Sequence, residues 1–309
     1  SVLIETPGQP ISAKPNISID DKGKLWVYFG TGRYYIKTDE TISTQQTFYG
    51  IVESFDDHAT LGTKGYMDIY YPEDKNQNCI RDEGEAAFTS IPDKFTWKQV
   101  VNPKSLSEPS TALIDVSEAV IKSDKTISDV KYGSTEITKW TSEDPKGLIE
   151  IIDDYIALGG GWFMDFRLPT SPTKNSAKER SISQPNVFGE MVLFTTYIPS
   201  GDMCTIEGKS NLYALYYKTG TPYYEDVLFD ANGEPLSIVE TGDIKKMVKR
   251  IDLGDGLAST PSIHSGGPGG DDGTFIQTSI GNIINLKQVF PAKRDLGIIT
   301  WKEGNTECN

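Results

Sequence analysis

Along this chain, short apolar segments alternate with polar turns, and one unit of this pattern occurs three times. Residues 12–32 read SAKPNISIDDKGKLWVYFGTG, residues 183–197 read SQPNVFGEMVLFTTY, and residues 259–281 read STPSIHSGGPGGDDGTFIQTSIG. Each unit has Ser and then Pro, a brief β-branched segment, a turn rich in polar residues and Gly, and a longer apolar segment. Such segments, bounded by turn-forming residues, are typical of β-strands. The pattern therefore predicts three β-hairpins.

A further apolar and aromatic segment follows each hairpin and predicts a third strand. These segments are FYGIVE at residues 48–53, NLYALYYKTG at 211–220 and NIINLKQV at 282–289. One small twisted sheet cannot bury both of its faces alone, whereas several sheets packed around a common axis bury the faces between them. We therefore predict an all-β chain that is built from β-propeller blades.

The three units are spaced unevenly, which indicates large insertions. A compact blade takes about 40–50 residues, and the intervals from Pro15 to Pro185 and from Pro185 to Pro261 are longer. We expect the main insertion at approximately residues 54–110, which are rich in Gly, Asp and other polar residues.

The segment between this insertion and the second unit has further predicted elements. Residues 110–121 predict a strand, and residues 162–169 predict an outer strand. Residues 144–162 predict a short helix, which begins after Asp144-Pro145 and ends at three consecutive glycines.

Three blades do not close a ring, because propellers use about four to eight. An open arc leaves sheet edges and apolar faces uncovered. We therefore expect an incomplete set of blades in this chain, with the missing blades upstream of Ser1 or on a complementing chain.

Composition and charge exclude several function classes. The chain has 309 residues and a formal net charge of −14, so attraction to nucleic-acid phosphate or to an anionic membrane surface is not expected. No apolar run approaches the roughly 20 residues that a membrane-spanning helix requires. Three cysteines, Cys79, Cys204 and Cys308, allow one disulfide and one free thiol, and the sequence leaves their pairing open.

Taken in order, the motifs of this chain resemble the C-terminal propeller of the PilY family. The matching segments are WVYFGTGRYY, QQTFYGI, GWFMDF, ISQPNVFGEMVLFTTYIPSGDMC, LYALYYKTG, LGDGLASTPSI and ITWKE. They cover most of the chain apart from residues 54–110. PilY proteins are large adhesin and assembly proteins at the tips of bacterial type IV pili. The resemblance implies that residues 1–309 are the C-terminal part of a PilY-like propeller with quinoprotein-like blades.

The resemblance also implies a function and a location. We expect a non-enzymatic module for type IV pilus biogenesis and adhesion, which contacts minor pilins at the pilus tip and a host or abiotic surface. Such a protein is exported through the periplasm of a Gram-negative bacterium and is exposed at the cell surface. No catalytic residue is expected.

One loop in the insertion has the spacing of a calcium site. Calcium prefers about six to eight oxygen ligands, which a tight loop presents from alternate positions. The six positions that fit are Asp74, Asn76, Asn78, the Ile80 carbonyl, Asp82 and Glu85.

Two features of this loop count against an EF-hand. Cys79 occupies the position where an EF-hand has Gly, and the flanking segments do not predict helices. The PilY resemblance implies instead a nine-residue calcium loop, whose pattern Asp74, Asn76, Asn78 and Asp82 match with Asn in the second acidic position. We expect calcium as the cofactor, and a solvated polar turn stays the alternative.

Two other function classes stay open. A quinoprotein-like dehydrogenase would hold a redox cofactor beside calcium, commonly with a disulfide between adjacent cysteines, and this chain has no adjacent cysteines. A carbohydrate-binding propeller would use aromatic residues such as Trp26, Trp162 and Tyr213 as a platform, although their spacing favours core packing. His58 and His264 are the two histidines, and neither lies in an HExxH-type or CxxC-type cluster.

Overall fold

The structure, a computed structural model, describes residues 4–52, 113–136, 160–166, 178–200, 208–264 and 272–291, apart from residues 5, 7, 21–23, 125, 133 and 134. These residues form nineteen β-strands and one short 3-10 helix, η1 (Lys37–Thr41). The all-β prediction is confirmed for this part of the chain. The predicted insertion at residues 54–110 and most of the predicted helix at 144–162 lie outside it.

The strands are numbered in chain order. They are β1 (Asn16–Ile19), β2 (Leu25–Gly30), β3 (Thr47–Val52), β4 (Ile114–Asp115), β5 (Val120–Ile121), β6 (Ile127–Ser128), β7 (Lys131–Tyr132), β8 (Thr135–Glu136), β9 (Gly161–Asp165), β10 (Asn186–Phe188), β11 (Met191–Ile198), β12 (Lys209–Tyr216), β13 (Leu228–Phe229), β14 (Ile238–Thr241), β15 (Ile244–Lys246), β16 (Arg250–Asp255), β17 (Ser262–His264), β18 (Asp272–Gln277) and β19 (Ile283–Gln288).

Three sheets have the build of propeller blades. The first blade has the strand order β1-β2-β3-β9-β4-β7-β8, the second β10-β11-β12-β16, and the third β17-β18-β19-β13. Their neighbouring strands are antiparallel except for β4 and β9. In each blade, the predicted hairpin forms the first two strands and the following apolar segment forms the third. The described residues therefore adopt the propeller-like fold that the repeat predicts.

The hairpin of the second blade shows why its sequence folds in this way. Phe188 of β10 pairs with Met191 of β11, so the connection has two residues, Gly189 and Glu190. Both have positive φ, 56° and 69°, which is the requirement of the type I′ turn that suits the twist of two-residue hairpins. Seven of the eight residues of β11 are buried, which accounts for its nearly uninterrupted apolar sequence.

The inner strands of successive blades are joined by a repeated hydrogen bond. The Asn16 side chain at the start of β1 donates to the Pro185 carbonyl at 2.9 Å. The Asn186 side chain at the start of β10 donates to the Pro261 carbonyl at 3.2 Å. In the first two units, the residue that follows proline thus donates to the carbonyl of the proline in the next unit. In the third unit, the corresponding residue is Ser262.

Two features of the blades depart from the sequence prediction. Residues 110–121 predicted one strand, but the described part of this segment has β4 and β5, in different sheets, separated by a turn in which the Ala119 N–H donates to the Val116 carbonyl. In the third blade, the outer strand β13 comes from the segment between β12 and β16 of the second blade. This strand links the second and third blades, because the chain leaves the second blade to form it and then returns.

The core between the first and second blades is aromatic. Phe48 of β3 stacks on Phe194 of β11 at 3.7 Å between ring centroids, and Phe194 stacks on Tyr213 of β12 at 5.0 Å. The Trp162 indole N–H of β9 donates to the Tyr217 carbonyl at 3.1 Å. Aromatic pairs contribute beyond the area they bury, so these contacts make the two blades one packed unit.

The third blade packs through one face. Ile276 and Leu286 on that face are buried, whereas Phe275 and Ile283 on the other are 38% and 72% exposed. Within the described residues, no helix has the length and hydropathy of a membrane span.

Candidate functional site

A short segment, residues 179–181, crosses from the second blade to the first, and we call it the strap. Arg180 exchanges two backbone hydrogen bonds with Tyr197 of β11, and the Ser181 N–H donates to the Thr31 carbonyl just after β2. The side chains of Glu179 and Arg180 are both buried. Because buried charges require compensating partners, these two side chains need polar groups around them.

Glu179 binds the second blade. Its Oε1 accepts hydrogen bonds from Thr196 Oγ1 at 2.5 Å, Asn211 Nδ2 at 2.9 Å and the Tyr213 hydroxyl at 2.9 Å. Burial, and after it the charge of Glu179, raise the pKa of Tyr213 above its usual value, so the phenol keeps the proton that it donates. None of the described residues hydrogen bonds to Oε2. This carboxylate joins β11 and β12 to the strap.

Arg180 binds the loop after β2 in the first blade. Its guanidinium donates to the backbone carbonyls of Lys178, Arg33, Asp39 and Ile42 at 2.7–3.2 Å. Burial lowers the pKa of this guanidinium, although arginine stays protonated in proteins. The carbonyl dipoles therefore hold a buried positive charge.

The same loop contains an ion pair. Arg33 is 45% exposed and approaches Asp39 at 3.0 Å, while the Asp39 side chain is fully buried. Asp39 also accepts from the N–H groups of Tyr35 at 2.8 Å and Ile36 at 3.2 Å. These backbone hydrogen bonds, led by the one from Tyr35, lower the pKa of Asp39, so this carboxylate is ionised in the folded protein.

A pocket of about 520 Å³ lies beside Arg180 and Arg33. The other residues that line it within the described part of the chain are Thr6, Gly8, Gln9, Pro10, Gly32, Ile42, Thr44 and Gln46. A pocket of this size is within the range of small-ligand sites, which span about 300–1,000 Å³. Its walls come from separate segments of the chain. Within the described residues, this pocket is the candidate binding site.

Lys249 is a partly buried cation between the first and second blades. Its ammonium donates to the Ser117 carbonyl, and its own carbonyl accepts from the Ala214 N–H at 3.1 Å. Burial lowers the pKa of Lys249 to about 8.

We expect this lysine to make stability depend on pH. Between pH 8 and 10.5 the unfolded chain keeps a proton that the folded protein releases, so stability rises with pH. Denaturation at pH 7.5 and 9.5 should show a gain of about 2 kcal/mol in the wild type that Lys249→Met lacks. The exposed-lysine control Lys24→Met should keep the gain, and parallel profiles for wild type and Lys249→Met would contradict the assignment.

The predicted calcium ligands Asp74, Asn76, Asn78, Ile80, Asp82 and Glu85 all lie outside the described residues. Calcium binding by this loop therefore stays a prediction. Among the residues that the structure describes, no group of three or more His, Cys, Asp or Glu side chains is placed to hold a metal ion. The three cysteines also lie outside the described residues.

The aromatic residues considered as a sugar platform are core residues. Trp26, Trp162 and Tyr213 are at most 3% exposed, which agrees with the core packing that their spacing favours. Sequence reasoning missed Glu179, Arg180 and their partners. Arg180 and Ile42, for example, are more than 130 positions apart in the sequence. No local sequence pattern indicates such a contact.

Together, the sheets, the aromatic core and the strap define an all-β, propeller-like module. No family profile matches the chain, and no curated protein matches it. Among solved structures, it is similar to the crystal structure of the Pseudomonas aeruginosa PilY1 C-terminal domain, with a TM-score of 0.47 and 16% sequence identity. The match covers 90% of this chain and 45% of that one, so the chain spans less than half of that structure. The similarity concerns the fold.

Proposed function

We propose that this chain is a non-enzymatic module of a type IV pilus tip protein, with roles in pilus biogenesis and in contact with host or abiotic surfaces. One observation carries the proposal. The segments that resemble PilY propellers, among them WVYFGTG, QQTFYGI, GWFMDF and LYALYYKTG, form the strands and turns of consecutive blades in the order in which the motifs occur. The location expected for such a module is the cell surface.

The blade contacts suit a rigid scaffold. The buried charges of Glu179 and Arg180 are bound to groups of two different blades, and the aromatic core spans the same junction. A module of this kind presents its loops in a fixed arrangement to pilins or to a surface.

An in-frame deletion of the region that encodes residues 1–309, made in the bacterium that carries the gene, tests the proposal. We expect loss of surface pili and of attachment to surfaces, with the major pilin still produced, and recovery on complementation. Wild-type piliation and attachment in the deletion strain would overturn the proposal. Dye-linked alcohol oxidation by the purified chain would favour the quinoprotein alternative instead.

We further propose that the loop of Asp74, Asn76, Asn78, Ile80, Asp82 and Glu85 binds Ca²⁺. The support is the spacing of its oxygen ligands. A ligand that binds only the folded protein stabilises it, by about 2.7 kcal/mol at 100 times its dissociation constant.

Millimolar calcium should therefore raise Tm relative to EDTA, and the double variant Asp74→Ala/Asp82→Ala should lose the shift. The control Asp243→Ala, which removes an exposed carboxylate elsewhere, should keep it. An unchanged Tm in calcium, or the same shift in the double variant, would contradict calcium binding at this loop.

A further inference from the structure

The pocket beside the strap is a local positive site in an acidic chain. The chain has a net charge of −14, yet the described lining residues include Arg33 and Arg180 and no Asp or Glu. Walls of one charge sign raise the local concentration of ligands of opposite sign. The pocket therefore favours an anionic group.

Negative charge compensates only part of the positive charge of the Arg33 and Arg180 guanidinium groups. All four hydrogen bonds of the Arg180 guanidinium within the described residues go to neutral carbonyl groups. Arg33 uses Nε and Nη2 to bind one oxygen of Asp39, and a guanidinium has five N–H donors. Two positive charges thus share one described carboxylate, and Arg33, which is 45% exposed, retains donors for a ligand.

The pocket lining also offers apolar surface. Its apolar side chains among the described residues are Pro10 and Ile42. Pro10 is exposed and Ile42 is partly buried. Arginine binds carboxylates with paired, charge-assisted hydrogen bonds, and apolar side chains beside it add contact area for the group that carries the carboxylate.

We propose that this pocket binds a carboxylate attached to an apolar group, with Arg33 as the residue that pairs with the carboxylate and Ile42 as an apolar contact. Capture of a chain-terminal carboxylate is one known mode of peptide recognition, and a small free carboxylate offers the same chemistry. The proposal is independent of the pilus function.

The test measures binding to the purified full chain by isothermal titration. The probes are a short peptide that ends in leucine with a free carboxylate, the same peptide as a C-terminal amide, and N-acetyl-leucine. We expect the free carboxylate to bind at least about tenfold more tightly than the amide. Arg33→Gln should weaken binding of the carboxylate about tenfold and leave binding of the amide unchanged, and Ile42→Ala should weaken both.

The controls separate lost binding from lost folding. Lys24→Gln removes an exposed positive charge from the same blade, outside the pocket lining, and should bind as the wild type does. Arg33→Lys keeps the charge and should recover part of the affinity. Tighter binding of the peptide than of N-acetyl-leucine identifies a chain end, and equal binding identifies a small carboxylate; both support the proposal. No binding of either carboxylate at millimolar concentration, equal binding of the amide, or full affinity in Arg33→Gln would overturn it.

Discussion

Replacing Glu179 with alanine is expected to lower the free energy of unfolding by about 3–5 kcal/mol, because three buried donors lose one acceptor and each unsatisfied group costs about 1–3 kcal/mol. The donors are Thr196, Asn211 and Tyr213, which lie on two neighbouring strands of the second blade. Water that enters the space left by the side chain would recover part of the sum, which is why the expected loss stays below the full total.

Urea denaturation of four variants checks this expectation. Glu179→Gln keeps an acceptor oxygen for the three donors and places an amide N–H₂ at the position of Oε2, to which none of the described residues hydrogen bonds. It should therefore cost less than Glu179→Ala. Adding Thr196→Val to Glu179→Ala should recover stability, because it removes one of the unpaired hydroxyl groups. The exposed-carboxylate control Glu225→Ala should stay within about 0.5 kcal/mol of the wild type. A Glu179→Ala variant that is also that close would show that this network does not hold the blade.

The repeat in the sequence predicted the blades because each strand has a local signal. The hairpin at Gly189 and Glu190 needs only a short turn between two apolar segments, and the burial of β11 follows from its own composition. Such features depend on residues that are close in the chain, so pattern and turn chemistry are sufficient to place them.

The contacts between blades could not be predicted in the same way. Glu179 and Arg180 lie in a polar segment whose composition is typical of a solvated loop. Their hydrogen-bond partners depend on how the first and second blades pack together. The outer strand of the third blade comes from the segment between β12 and β16 of the second blade, and the two residues of β13 are too few to carry a periodic signal. The sequence shows that Asn16 and Asn186 occupy equivalent positions of the repeat. Their hydrogen bonds to the proline of the next unit depend on how successive blades pack.

The junction of the first and second blades leads to a second large expected effect, at Trp162. Its indole is fully buried and lies between two glycines. A Cβ on Gly50 would lie 2.4 Å from Trp162 Cε2, and a Cβ on Gly220 would lie 2.3 Å from Cδ2. Trp162→Ala should therefore cost about 3–5 kcal/mol through lost burial and a cavity, and Gly50→Ala should cost about 1–3 kcal/mol through overpacking.

The double variant Gly50→Ala/Trp162→Ala distinguishes steric contact from independent effects. With the indole gone, the new methyl group at position 50 occupies part of the cavity, so the double variant should be more stable than the sum of the two single losses predicts, by at least about 1 kcal/mol. Gly273→Ala is the matched control, because its added Cβ would meet no described atom closer than 3.4 Å and should combine additively with Trp162→Ala. Additive losses for the Gly50 pair as well would mean that Gly50 does not define the space for the indole. Coupling confined to the Gly50 pair would show that glycine at position 50 makes room for this one side chain.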